Sequence, residues 1–202
     1  MIARLQPQVI VQKPSELTLS WVQNVLKSNL NVELRGIIID SVDILSVDVG
    51  TTTRVCLAVD HDGSQKLPTR WFVKLPSLSP RAKLITALPR LLPTEVRFYN
   101  EIAASVPINK PTVLCAQSRF GVGSTLVLND ISEFGGTPGR TGDTLSIEQA
   151  GLVIEQLAYF HTHFMDKAKN DPSYRWLSGP IRRLEDDLGA VLAVRFSLCP
   201  LS

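Results

Sequence analysis

Two residues of opposite charge stand in runs that are otherwise apolar. An ion pair between them is the first chemistry this sequence offers. In Trp71-Phe72-Val73-Lys74-Leu75, strand alternation puts Phe72 and Lys74 on one face and Trp71, Val73 and Leu75 on the other. Glu95, Phe98, Tyr99 and Ile102 recur at helical spacing, so a carboxylate shares an apolar stripe. A carboxylate that faces a core without a partner is strongly penalised or takes up a proton. Two readings stay open for each residue. Glu95 either meets a cation or sits at a rotated first turn, where acids suit the helix dipole. Lys74 either meets an acid or lies at a sheet edge in solvent. A pair between them would satisfy both. Upstream, Gly50-Thr51-Thr52-Thr53 interrupts a strand pattern with one small residue and a run of hydroxyls.

The elements that must position these residues follow from periodicity. Pro14 to Leu30 reads as a helix, with Thr18 as N-cap and Leu19, Val22, Val25 and Leu26 on one stripe. From Gly36 the pattern becomes alternating, and His61-Asp62-Gly63-Ser64 supplies a turn. Residues 36–75 therefore predict a three-stranded antiparallel meander. A short helix is predicted at Arg81 to Leu88, and a second long one over Thr94 to Ala104, with Pro93 at its first position. Thr112 to Gln117 and Thr125 to Ile131 read as a hairpin whose turn contains Gly121-Val122-Gly123. That glycine pair lies between strands, so it is not a dinucleotide fingerprint. Gly135 to Thr144 is a loop or link. Ser146 and Gln149 have capping-box spacing at the head of the longest helix, Ile147 to about Lys167. His161 shares a stripe there with Ile154 and Ala158, which predicts a core-packed histidine. Ile181 to Leu192 reads as one more amphipathic segment. The fold class is α+β, since the strands do not alternate with helices.

Composition excludes several functions. The chain has 202 residues, 44% hydrophobic and 20% charged, which is ordinary globular usage. Lys plus Arg number 21 against 19 Asp plus Glu, a net charge of +2, and give no reason to expect nucleic acid as partner. Cys56, Cys115 and Cys199 form no C-x-x-C and fit a reducing compartment. No secretory signal is legible at the start. Leu188 to Leu201 contains Arg195 and is too short to span a bilayer. The expectation is a cytoplasmic protein with no membrane partner.

Five short segments, taken in order, carry a family resemblance. They are Val49-Gly50-Thr51-Thr52-Thr53-Arg54-Val55, Trp71-Phe72-Val73-Lys74-Leu75-Pro76, Thr94-Glu95-Val96-Arg97-Phe98-Tyr99, Leu126-Val127-Leu128-Asn129-Asp130-Ile131 and Leu157-Ala158-Tyr159-Phe160-His161. Together they resemble the N-terminal half of a kinase-like phosphotransferase of the aminoglycoside phosphotransferase group, particularly its choline/ecdysteroid kinase-like branch. The resemblance implies a protein-kinase-like N-lobe, a five-stranded antiparallel sheet with an inserted helix, followed by the first helices of a helical C-lobe. It implies ATP as cofactor. Lys74 would hold the α- and β-phosphates and Glu95 would orient Lys74. Gly50, Thr51, Thr52 and Thr53 would approach the phosphates, and backbone groups of Leu128, Asn129, Asp130 and Ile131 would read the adenine edge. Asn129 departs from the acid usual at its position.

The implied division is an N-terminal helical segment over residues 1–34, a nucleotide-binding lobe over 35–133, and a linker with a partial helical lobe over 134–202. The family's H-G-D-x-x-x-x-N loop and its following metal-binding aspartate do not occur in this sequence. His163-Phe164-Met165-Asp166 imitates the loop, but with the wrong spacing and directly on the long helix. The expectation is a truncated ATP-dependent kinase of small-molecule hydroxyls. It lacks a catalytic residue and the ligands for Mg²⁺, is inactive alone, and acts on a small-molecule substrate only if the missing lobe is supplied. The alternative is a non-catalytic nucleotide-binding or protein-interaction module.

Overall fold

A computed structural model describes residues 8–29, 31–62, 67–87, 91–139, 142–177, 183–184 and 187–188. Alternating segments become strands β1 (Ile39–Val49), β2 (Thr52–His61), β3 (Arg70–Pro76), β4 (Val113–Arg119) and β5 (Gly123–Asn129). They form one antiparallel sheet in the order β1-β2-β3-β5-β4. The helices are α1 (Leu19–Ser28), α2 (Pro80–Ala87), α3 (Leu91–Glu101), α4 (Ile147–Phe164) and α5 (Lys167–Asn170). The molecule is α+β, and the meander over 36–75 is present as β1 to β3.

Strand alternation gives this sheet two different faces. Trp71, Val73 and Leu75 point with Val55, Leu57 and Val59 toward Trp21, Val22, Val25 and Leu26 of α1. Most of these side chains are fully buried, and each contributes about 1.5–3 kcal/mol by leaving water. Phe72 points the other way. It joins Leu126 and Leu128 beneath Leu92 and Val96 of α3. The second face is where Lys74 also emerges.

Capping chemistry moves several boundaries. Pro14–Glu16 is a separate 3-10 turn, and α1 starts after Thr18, whose Oγ1 accepts from Trp21 N–H at 3.3 Å. α3 begins at Leu91, so Pro93 lies within its first turn, where a missing N–H costs no helical bond. At its other end α3 stops at Glu101 and gives way to a 3-10 turn, Ala103–Ser105. β5 ends at Asn129 because Asp130 turns to cap a 3-10 turn, Ile131–Phe134, and its carboxylate accepts from Ser132 N–H at 2.9 Å. Ile131 is thus outside the strand. Gly121, at φ +74°, occupies the left-handed region in the β4–β5 turn.

Ser146 and Gln149 form the expected capping box at the head of α4. The packing of α4 differs from expectation. It has no buried residue among those described, and His161 is exposed rather than packed in a core. Ile147, Leu152, Ile154 and Leu157 are exposed as well. The amphipathic reading of Ile181 to Leu192 falls mostly outside the described residues. Among the described residues no helix is long and apolar enough to cross a membrane.

Candidate functional site

Packing brings the two charges together. Val96 is buried against the Leu126–Leu128 face, which holds the preceding residue, Glu95, above β3. Lys74 Nζ donates to Glu95 Oε1 at 2.6 Å, and the two side chains are 24% and 30% exposed. At that depth the pair is shielded enough to hold its geometry and open enough for a further partner to reach it. An ammonium has three donors, so one contact leaves capacity for an anion.

The pair forms the polar end of a cavity of about 240 Å³. Phe72 and Leu128 supply apolar walls, and Asn129, Asp130 and Ile131 line the same space. The volume lies below the usual range for a drug-sized ligand and suits one planar ring system. Tyr99 also lines it, and its phenol is held above its ordinary pKa by burial and by the Glu95 carboxylate. Tyr99 already shares the stripe of Glu95 in the sequence, whereas Pro138 does not stand out and needs the fold to reach this wall.

Much of the 128–131 backbone is already engaged. Asn129 N–H donates to Thr112 O at 3.0 Å and Asp130 N–H to Arg70 O at 2.9 Å. Ile131 O accepts from Gly136 N–H at 2.9 Å. Ile131 N–H is used by none of these bonds. Asn129 Oδ1 accepts from Thr112 N–H at 2.5 Å, so its side chain ties the end of β5 to the residue before β4.

The Gly50–Thr53 segment does not line this cavity. It is tied to the end of β3, where Gly50 O accepts from Ser77 Oγ at 2.7 Å. Thr53 is fully buried, and its Oγ1 accepts from Leu78 N–H at 3.0 Å. Its hydroxyl therefore serves the fold, and Thr51 and Thr52 remain the accessible members of the run. A Cβ on Gly50 would meet Arg54 Nη2 at 3.6 Å, an ordinary contact, so its backbone does not itself demand glycine.

A larger cavity of about 630 Å³ lies where Asn29 at the end of α1, His61 and Thr69 around the β2–β3 loop, and Val113 in β4 converge. His61 Nδ1 is buried there without a partner among the described residues, while Nε2 lies 3.1 Å from Leu67 O. Glu133, on its wall, accepts from Thr69 N–H at 2.9 Å, Thr69 Oγ1 at 2.7 Å and Arg70 N–H at 3.0 Å. Burial alone would raise the Glu133 carboxyl, but these donors and the Arg70 charge together bring it below its ordinary value.

Cys115 is a core residue whose thiol is pushed up to about 11 by burial, against a weak opposing contact from Ser28. Among the described residues no three His, Cys, Asp or Glu side chains gather as a metal group. Asp130 borders the cavity, and its Oδ1 accepts from Ser132 N–H at 2.9 Å. No protein-family model, curated protein or solved structure matches the chain.

Proposed function

We propose that residues 35–133 form a nucleotide-binding lobe of the kinase-like phosphotransferase type, similar to the aminoglycoside phosphotransferase group and its choline/ecdysteroid kinase-like branch. The observation that carries this reading is the half-buried Lys74–Glu95 contact at 2.6 Å, at the rim of a cavity that Leu128 to Ile131 also line. The strand order β1-β2-β3-β5-β4 with α3 inserted before β4 supports it. In this reading the adenine ring lies over the adjacent Phe72 and Leu128 side chains, and its edge accepts from Ile131 N–H. Lys74, held by Glu95, directs its remaining donors at the α- and β-phosphates. Thr51 and Thr52, at the β1–β2 turn outside the cavity wall, meet the phosphates that extend beyond it.

Calorimetric titration with ATP tests this directly. Weak binding is expected, reduced about tenfold by Lys74→Ala, the loss of one charge-assisted contact. Absence of any ATP heat, or equal binding by the variant, would overturn the reading.

Phosphoryl transfer also needs a group that positions the attacking hydroxyl and an acid that holds the metal. Neither has a candidate in these 202 residues. The chain as it stands is expected to transfer no phosphate from ATP to choline-like, aminoglycoside or steroid alcohols in a labelled-ATP assay. Turnover abolished by Asp166→Ala would show that the lookalike loop works after all. The second reading, a non-catalytic nucleotide-binding or interaction module, has its own support in the exposed apolar residues of α4, among them Ile147, Leu152, Ile154 and Leu157.

A further inference from the structure

Arg54 and Lys74 are direct partners across β2 and β3, so their side chains leave the sheet on the same face. The row continues on both sides, with Asp48 opposite Arg54 and Leu126 opposite Lys74. Like charges directly opposite one another destabilise a strand pair. Here each cation has its own carboxylate: Lys74 has Glu95, and Arg54 has Asp48. The two pairs differ in depth. Arg54 and Asp48 are 47% and 64% exposed, against 24% and 30% for Lys74 and Glu95. The Arg54 guanidinium also lies against the hairpin turn, with Nη2 only 3.6 Å from where a Gly50 Cβ would stand.

We infer that Arg54 is a second polyphosphate-contacting residue, held ready by Asp48 and released onto the outer phosphates of a bound nucleotide. The inference rests on the nucleotide reading above and goes further than it. Lys74 serves the phosphates nearer the base, and Arg54, at the solvent side of the same row, serves those farther out. The guanidinium fork matches phosphate oxygens as well as it matches the Asp48 carboxylate. An exposed ion pair is worth little to the fold, so exchanging Asp48 for a phosphate costs little. Asp48 then acts as a competitor that keeps Arg54 at the turn when no nucleotide is present.

Calorimetric titration of the native chain, Arg54→Gln and Asp48→Asn with adenosine, ADP and ATP separates this role from a structural one. For Arg54→Gln, ATP binding is expected to weaken about tenfold while adenosine binding stays unchanged. Asp48→Asn should tighten ATP about threefold by removing the competitor, again without effect on adenosine. Arg54→Lys should recover part of the loss. If both variants weaken ATP and adenosine alike, the pair merely supports the turn and the inference is overturned. If the native chain binds ATP and Arg54→Gln binds it equally, the inference falls and the nucleotide reading survives. If the native chain binds no ATP, both fall. Should Arg54→Gln fail to fold by circular dichroism, the sign of the Asp48→Asn effect decides alone.

Discussion

At the scale of single residues, what each polar group touches decides whether it serves the fold or a ligand. Glu133 is spent on the fold, because three donors from Thr69 and Arg70 converge on its carboxylate and lower its pKa. A carboxyl depressed on folding stabilises above its unfolded pKa, and that stabilisation fades as pH falls through the folded value. Glu133→Ala should therefore cost roughly 1–2 kcal/mol in urea unfolding at pH 7, and clearly less near pH 3.5. An equal cost at both pH values would mean that ionisation of Glu133 contributes nothing. Lys74 and Glu95 were legible in the sequence because a charge inside an apolar run requires an explanation. Thr53 was not legible as a buried residue. Only the pairing of Thr53 with Leu75 shows that it faces the α1 core, while its neighbour Arg54 faces Lys74.

The elements carry the next level of positioning. Glu95 has no freedom of its own, since α3 is fixed by Leu92 and Val96 on Leu126 and Leu128. Leu126 is fully buried, and Leu126→Ala should cost about 2–5 kcal/mol with a lower midpoint in thermal unfolding. The same change should loosen α3 over Lys74 and weaken ATP binding, although Leu126 lies outside the cavity wall. An unchanged midpoint would show that the two layers are not joined through this side chain. Alternation made β1 to β3 readable, and helical spacing did the same for α1 and α3. Their ends were less readable, because caps decide them. Thr18 was readable as the cap of α1, whereas Asp130 ends β5 by bonding Ser132, which no periodicity shows. His161 shows a further limit. A helical stripe identifies a face that could be buried, and the stripe of α4 lies exposed.

For the whole molecule, the decisive feature is the sheet order. Residues of β5 enter between β3 and β4, which sets Leu128 to Ile131 beside the strand that bears Lys74. No periodicity reveals which strand neighbours which, so this juxtaposition was legible only through the family resemblance. It yields a layered lobe. α1 covers one face, while α3 covers part of the other and leaves a cavity of about 240 Å³ lined by the Lys74–Glu95 pair. The second cavity, about 630 Å³ and built around His61, is larger but has no comparable pair of charges at its wall. Its position makes it the natural control. The most direct test is a titration of the ¹⁵N-labelled chain with ATP, followed residue by residue through backbone amide shifts. The expected result is a saturable set of shifts at Ile131, Lys74 and the Gly50–Thr52 turn, with the amides of α1 unmoved. No shifts at all, or shifts confined to the residues around His61, Thr69 and Val113, would contradict the assignment of the Lys74–Glu95 cavity as a nucleotide site.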